Sequence, residues 1–522
     1  MIKKSVFSRL FFLLLLVTIF CADSYSQNEQ QKKTKADFII QEIFSNNPET
    51  REKTLASLAS YDAKEIFLLL KPYCESKQPE IRIYALAALE VLKSKESYEE
   101  IAKMLKDKSP SVAYTAALAL ARNISISKDS IRDAIQSSSS QAQYYALVAI
   151  EKSKDKAFWD SVIFLANSSF PQVRRQAVFV LGSYQGEKAD TRFSETIHIL
   201  RRRLSDGDRL VRASAIWSLS QHDYEEKQKD IEKSAMDSAW EVRCAAVNSI
   251  TTKEKKEDIS RLLLSLIKDT HWAVRYASVK KAGKLNCLSL LPTLHEMLLD
   301  KKETEKVKAA VCSALGELGD ISSLPFLLQS WQSPSMSICK ETDFALSTFA
   351  YLYPRKFVQI FQDKSQPWKL RCDVAMLLGR IQAKDMASYL YVIAQDKEEQ
   401  ETIRCKALLL LADFEGSKAM PLFQNFLKSD NPYLQEAAVL ALGKIKDESH
   451  LKEIFSFLGS SHIPLREASI WAISQLDFLK TQPLLLEALK SQDEKTSQAA
   501  DLLLRITRFH RRDAEYAEKR EE

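Results

Sequence analysis

Glycine and proline are both scarce, at 10 and 14 residues in 522. A chain of hairpins and tight turns needs many more of each, so β-rich classes are excluded and a helical composition remains. Charge of one sign is lacking too: 75 basic and 69 acidic residues leave a formal net charge of +6, without the basic excess usual in nucleic-acid binders. Catalytic signatures are missing. There is no glycine-rich phosphate loop, no G-x-S-x-G and no Cys-x-x-Cys, and none of the seven histidines pairs with another at i, i+4. The stretch LHEML around His295 lacks the second histidine of a zinc-protease helix. No enzyme activity, metal or cofactor is expected.

The N-terminal apolar run LFFLLLLVTIFC, Leu10 to Cys21, is too short to span a bilayer comfortably. Lys3, Lys4 and Arg9 precede it, and the small residues Ser24 and Ser26 follow. That order predicts a secretory signal peptide over 1–26, cleaved after Ser26, then a short polar linker over 27–36. The expected location is the periplasm or the cell surface. Lipidation at Cys21 is the alternative, and Phe20, where lipoprotein signals carry a small residue, counts against it.

What the chain does contain is repetition. WEVRCAAVNS from Trp240 and WAVRYASVKK from Trp272 share a Trp, a Val-Arg pair and an Ala-containing continuation. With the Arg of each pair as position zero, the frame is apolar at −1, small at +3 and apolar near +4 and +7. It recurs at Arg51, Arg82, Ala113, Gln143, Arg174, Arg212, Arg243, Arg275, Lys308, Lys340, Arg371, Arg404, Gln435, Arg466 and Thr496. Successive positions lie 30 to 33 residues apart, except for 38 between Arg174 and Arg212. A steady period over fifteen units means a repeat architecture.

At 100° per residue the apolar positions share one arc, so PEIRIYALAALEVL and PQVRRQAVFVLGSY each predict an amphipathic helix. A second apolar pattern precedes each, as in DAKEIFLLLKPY and SYEEIAKMLKD. Each unit is therefore read as two antiparallel helices that bury their faces only by stacking on their neighbours. Position −3 holds Pro48, Pro79, Pro110, Pro171 and Pro432, with Trp240, Trp272 and Trp368 there in other units. Proline is tolerated in a first helical turn, so this column marks where the second helix starts.

The pattern Val-Arg-x-x-Ala-x-x-x-Leu-Gly, complete from Val173 to Gly182 and approximated from Val307 to Gly316 and from Leu434 to Gly443, resembles HEAT repeats in the short, phycobilisome-lyase-like form. The resemblance covers roughly residues 37 to 508 and leaves 509–522 as a charged tail. It implies an all-α fold, a right-handed α-solenoid of about fifteen two-helix repeats, and says little about activity.

A column of arginines (Arg51, Arg82, Arg174, Arg212, Arg243, Arg275, Arg371, Arg404, Arg466) suggests a polyanion site, but position zero falls inside the buried arc. Acidic residues follow it: Asp107, Asp206, Asp237 and Asp269 lie six residues ahead of position zero, and Asp300, Asp363 and Asp396 eight ahead. The column is read as structural, each arginine pairing with the Asp of its own interhelix turn, which also caps the second helix. On this reading Asp237 is the partner of Arg243.

Outward positions +1, +2, +5 and +9 of the second helix carry Tyr84, Tyr114, Tyr144, Tyr145, Phe179 and Trp217 in the early units. These are candidate anchors for a partner segment, against the plainer reading of packing between repeats. Trp240 and Trp272 are candidates for a ridge along the turns, against that of packed helix starts. The long interval holds extra residues in SYQGEKADTRFSE, followed by Arg201, Arg202 and Arg203, a candidate binding loop or a solvated linker. Cys244, Cys372 and Cys405 share position +1. Stacked helices about 8–10 Å apart exceed disulfide reach of roughly 7 Å, so these are read as small hydrophobes.

The leading expectation is an exported, noncatalytic, monomeric scaffold that binds a protein or peptide, with an envelope assembly factor as one form. A polyanion-binding solenoid, on nucleic acid or polysaccharide, is the alternative, although a nucleic-acid partner is not expected. A chromophore-lyase-like enzyme, suggested by the resemblance, fits poorly with a signal peptide. A membrane association is expected only through Cys21.

Overall fold

A computed structural model describes residues 38–184, 191–251, 255–381 and 387–506. The segments expected to be a signal peptide, a linker and a charged C-terminal tail lie outside them. The described residues form helices and turns without a strand, as fifteen successive helix pairs. None of these helices is long and apolar enough to cross a membrane.

The repeat Lys95–Arg122 shows why the pairs form. Ser94 caps the first helix, Lys95–Lys103, by accepting from the Ser97 amide. Tyr98 and Ile101 are buried on one side of that helix. A short 3-10 turn and Asp107 end it, and Pro110 opens the second helix, Pro110–Arg122. Val112, Ala116, Ala117 and Leu120, at −1, +3, +4 and +7, are all buried in the second helix. Consecutive second helices pack against each other, as do consecutive first helices in the early repeats.

The residue that begins each second helix as its N-cap lies four before position zero, from Gln78 for Arg82 to His462 for Arg466. Two positions depart from the frame read in the sequence. Ser335 is the N-cap of Met336–Leu352, so position zero there is Cys339 and not Lys340, which is exposed. The Cys339 thiol donates to the carbonyls of Trp331 and Ser333, just as Gln143 donates to those of Ile135 and Ser137. In the last repeat Ser497, donating to the Leu489 carbonyl, takes the place given to Thr496.

The motif glycine at +8 has a steric cause. A Cβ on Gly182 would lie 2.6–2.9 Å from Ser218, one on Gly316 within 2.9 Å of Ala345, and one on Gly443 within 2.9 Å of Ala472. Each partner sits at +6 of the following repeat. Glycine permits the close approach of adjacent second helices.

The chain divides into two compact units, Met1–Lys281 and Ala282–Glu522. In the first, a continuous core runs from Ile39 to Leu219, built largely of Ala, Leu, Ile and Val. The second fills its core with larger rings: Phe349, Phe357, Phe361 and Phe423 are among its fully buried side chains.

Candidate functional site

The arginine column forms a ladder in the first unit, and its partners differ from those expected. Arg243 donates from Nε and Nη2 to both carboxylate oxygens of Asp269, at 2.7 and 2.8 Å, in the next repeat. To Asp237 it gives only a backbone contact, from Nη1 to the carbonyl oxygen at 2.9 Å. The Asp237 carboxylate is held by Arg212, again by two hydrogen bonds of 2.8 Å. Arg174 holds Asp206 and Arg82 holds Asp107 in the same two-pronged way. Each guanidinium therefore closes its own turn and grips the next, because the turn of the following repeat lies against Nε and Nη2 while Nη1 points back to its own. From Arg174 to Arg275 the chain of contacts is unbroken, with Arg275 on the Asp269 carbonyl.

These aspartates do not cap the second helix directly. Each accepts from the amide two residues on, that of the N-cap residue: Ser109, Asp208, Ala239 and His271. Burial opposes the charge of Asp107, Asp206, Asp237 and Asp269, but the guanidinium and the turn amide outweigh it, so all four titrate below the ordinary aspartate value. The arginine nitrogens are thereby occupied and largely shielded, which suits a structural role. Replacing both partners of such a pair is often neutral while removing one is costly, because the remaining charge is left buried without its counter-ion.

Elsewhere the column behaves differently. Arg51 donates to the Ser45 carbonyl and lies over the Tyr84 ring, 4.5 Å from its centroid. Arg371, 2% exposed, forks onto Glu399 and bonds the Phe361 carbonyl. Arg404 bonds the Ala394 carbonyl and covers Phe426, and Arg466 reaches the Ser460 carbonyl. The three aspartates at −8 do not meet a position-zero guanidinium. Asp300 accepts from the Lys302 amide, Asp363 from Ser365 and Gln366, and Asp396 from the Glu398 amide and Lys364. Two residues further from position zero, they close turns instead.

The aromatic candidates separate into two groups. Tyr84, Tyr144 and Tyr145 are half-buried and packed on the core of the first unit. Tyr145 also donates to the Pro110 carbonyl of the preceding repeat, and its ring meets Tyr144 edge-on. Tyr114 and Trp217 remain exposed, at 43% and 38%. Trp217 stacks on Phe179 of the previous repeat, with centroids 4.9 Å apart. Arg175, Gln176, Leu210, Ala213 and Ser214 join this pair around an open pocket of about 400 Å³.

Trp240 and Trp272 each open a second helix. They are linked by a residue that the sequence reading overlooked. His271 stacks on Trp240 at 4.3 Å and on Trp272 at 6.0 Å, while its Nδ1 accepts from the Ala273 amide as the helix cap. Its place four before position zero was the signal available. Trp368 also opens a helix and is exposed.

Of the shared +1 cysteines, Cys372 is buried and Cys244 and Cys405 are half-buried, all as free thiols. Burial pushes the Cys244 and Cys405 thiols up to about 11 and about 12, away from nucleophilic form. His295, half-buried, lies against the hydroxyl of fully buried Ser323 and stacks on Phe326. Among the described residues no group of three or more His, Cys, Asp or Glu is placed to hold a metal ion. Arg201 pairs with Asp230 and Glu226, and the inserted residues 185–190 lie outside the described residues.

Paired helices, a period near 31 residues and stacked neighbours define an α-solenoid. The model for HEAT repeats matches residues 161–251, 259–346 and 420–505, and the chain belongs to the HEAT-repeat proteins. Among solved structures it is similar to importin beta in an ammonium sulfate condition, with 15% identity over 90% of this chain and 77% of that one and a TM-score of 0.48. It is also similar to yeast importin-beta (Kap95p), with 11% identity over 88% and 73% of the two chains and a TM-score of 0.45. None of the curated proteins matches the chain.

Proposed function

We propose that this chain is an exported, noncatalytic scaffold that binds a protein or peptide partner through the outward side of its early second helices. The observation that carries this reading is the Phe179–Trp217 stack. It leaves a large indole exposed beside a pocket instead of sealing it between repeats. Such rings are typical anchors, because a rigid aromatic surface binds with little loss of side-chain freedom. Tyr114 extends the surface. Tyr84, Tyr144 and Tyr145 support it from behind by packing on the core.

Export rests on the charged, apolar and small-residue order of residues 3–26. N-terminal sequencing of the native protein is expected to read from Gln27, or to find a lipidated Cys21. An intact Met1 overturns export.

Capture from envelope extracts tests the binding surface. The intact protein is expected to retain a defined partner in moderate salt, and F179A/W217A to lose about 2 kcal/mol or more of affinity while staying folded. Retention of a polysaccharide or nucleic acid with steep salt dependence replaces this reading with the polyanion one. Unchanged capture by the double variant moves the surface to the Trp240–His271–Trp272 stack.

A further inference from the structure

Of the three arginines that end the helix Thr191–Arg203, the fold explains one. A helix C-terminus favours cations, and Arg201 meets Asp230 and Glu226 there. Arg203 occupies a position, nine before position zero, where five other repeats of the first unit carry Met104, Ala134, Leu165, Ser234 and Leu266, all buried, and the first two carry Glu42 and Tyr73. Its guanidinium is drawn in between two repeats, donating from Nη1 to Asp206 and from Nη2 to Asn167, each at 3.0 Å. Its buried Nε has no partner. Arg202 is exposed and makes no hydrogen bond or ion pair among the described residues. A solenoid gains nothing in packing from a guanidinium at an apolar position.

Both side chains line a polar pocket of about 480 Å³ on the turn edge, with Arg174, Asn167, Ser168, Ser205, Asp206 and Gly207. Three arginines and one aspartate give it a net charge of +2. Arg174 and Arg203 both neutralise Asp206. A corresponding turn such as that of Asp237 has one arginine on its carboxylate and is neutral. The donors left over are the whole fork of Arg202, the second hydrogens of Arg203 Nη1 and Nη2, and the Ser205 hydroxyl. A planar fork beside a second guanidinium and a hydroxyl matches a tetrahedral oxyanion.

We infer that this pocket binds a phosphate-class oxyanion, free or as the ester of a larger molecule. The site is separate from the aromatic surface and does not depend on it.

Calorimetric titration of the full chain with inorganic phosphate, at constant ionic strength set by chloride, tests the inference. One saturable site is expected. R202A and R203L are each expected to weaken binding by about tenfold or more, the loss of one charge-assisted contact, while Arg175→Ala, on the aromatic surface, leaves it unchanged. R203L restores the residue type of Leu165, so it should fold at least as stably as the parent. A marked loss of its stability shows that Arg203 is a structural tie and overturns the inference. Absence of saturable binding, or binding that survives in R202A, also overturns it. Competition by a phosphoserine peptide more strongly than by phosphate identifies an ester as the source, and the reverse order identifies the free anion. Either order supports the pocket.

Discussion

Between Arg174 and Arg275, three guanidinium forks join four successive turns, each reaching a carboxylate one repeat ahead. In the second unit Lys308, Cys339, Gln435 and Ser497 stand at the same position, and one fork remains, Arg371 on Glu399. The difference separates two jobs that one residue performs in the first unit. Closing the turn is general: Gln143, Cys339, Gln435, Arg466 and Ser497 all donate to a carbonyl of their own repeat, six or eight residues back. Tying one repeat to the next takes an arginine and a carboxylate in the following turn: an aspartate at −6 in the first unit, and Glu399, five before Arg404, for Arg371. Where the aspartate moves to −8, as at Asp363 and Asp396, it takes no position-zero guanidinium and closes its own turn; at Asp396 the link to the preceding repeat comes from Lys364 and from Arg371 on Glu399. The second unit instead fills its interior with phenylalanine.

The largest test of this contrast is a pair of truncations. Arg243→Ala leaves the Asp269 carboxylate without its counter-ion and is expected to cost about 3 kcal/mol. Arg466→Ala removes a single bond to a carbonyl and should cost about 1 kcal/mol. Urea unfolding, with peptide-resolved hydrogen exchange to locate the loss, measures both. Equal costs would mean that the forward pairing adds nothing to turn closure.

Glycine replacements come next. Gly182→Ala pushes a methyl group against Cα and Cβ of Ser218 and should cost about 1–3 kcal/mol. At Gly379 only the Leu410 Cδ2 is close, a mobile side-chain end, so Gly379→Ala should cost less than its counterpart in the same unfolding experiment.

Acid sharpens the comparison further. The four ladder aspartates have folded pKa values below the unfolded value near 4. Their contribution is complete above that value and is lost as pH falls through the folded pKa. Hydrogen exchange is expected to rise first around Asp206, Asp237 and Asp269, before the turns closed by Cys339 and Gln435. The smallest effect concerns register: Lys340→Ala, at an exposed position outside the frame, should change stability by no more than about 0.5 kcal/mol.

The period, the paired helices and the start of each second helix were legible because apolar spacing and the Pro and Trp column repeat locally. The pairing of the arginines was not. An aspartate six residues away and one 25 to 32 residues away look equally suitable in a periodic chain, and only the stacking of turns selects the second. At Lys340 a basic residue after Cys339 imitated the Val-Arg pair, while buried Ile338 and the cap Ser335 set the true frame one residue earlier. Of the candidate surface, the aromatic positions were visible, but which rings face outward depended on contacts across repeats, such as Phe179 on Trp217 and Tyr145 on Pro110. Arg203 was noticed only as one of a basic run, since its inward course follows from the neighbouring repeat.

The ladder also gives the chain a syntax for changing length. Each tie reads forward from an arginine to the next aspartate, and each aspartate sits six residues before the following arginine. Excising residues 206–236 would bring Asp237 to the place in sequence that Asp206 holds relative to Arg174, with Arg243 following as Arg212 did. A cut at an aspartate keeps the arginine–aspartate tie on each side, while Arg201 loses Asp230 and Glu226 and Phe179 loses Trp217. In this stretch the ladder keeps its register when one whole repeat is removed at one kind of residue, because the tie across the join is already written in the sequence on either side.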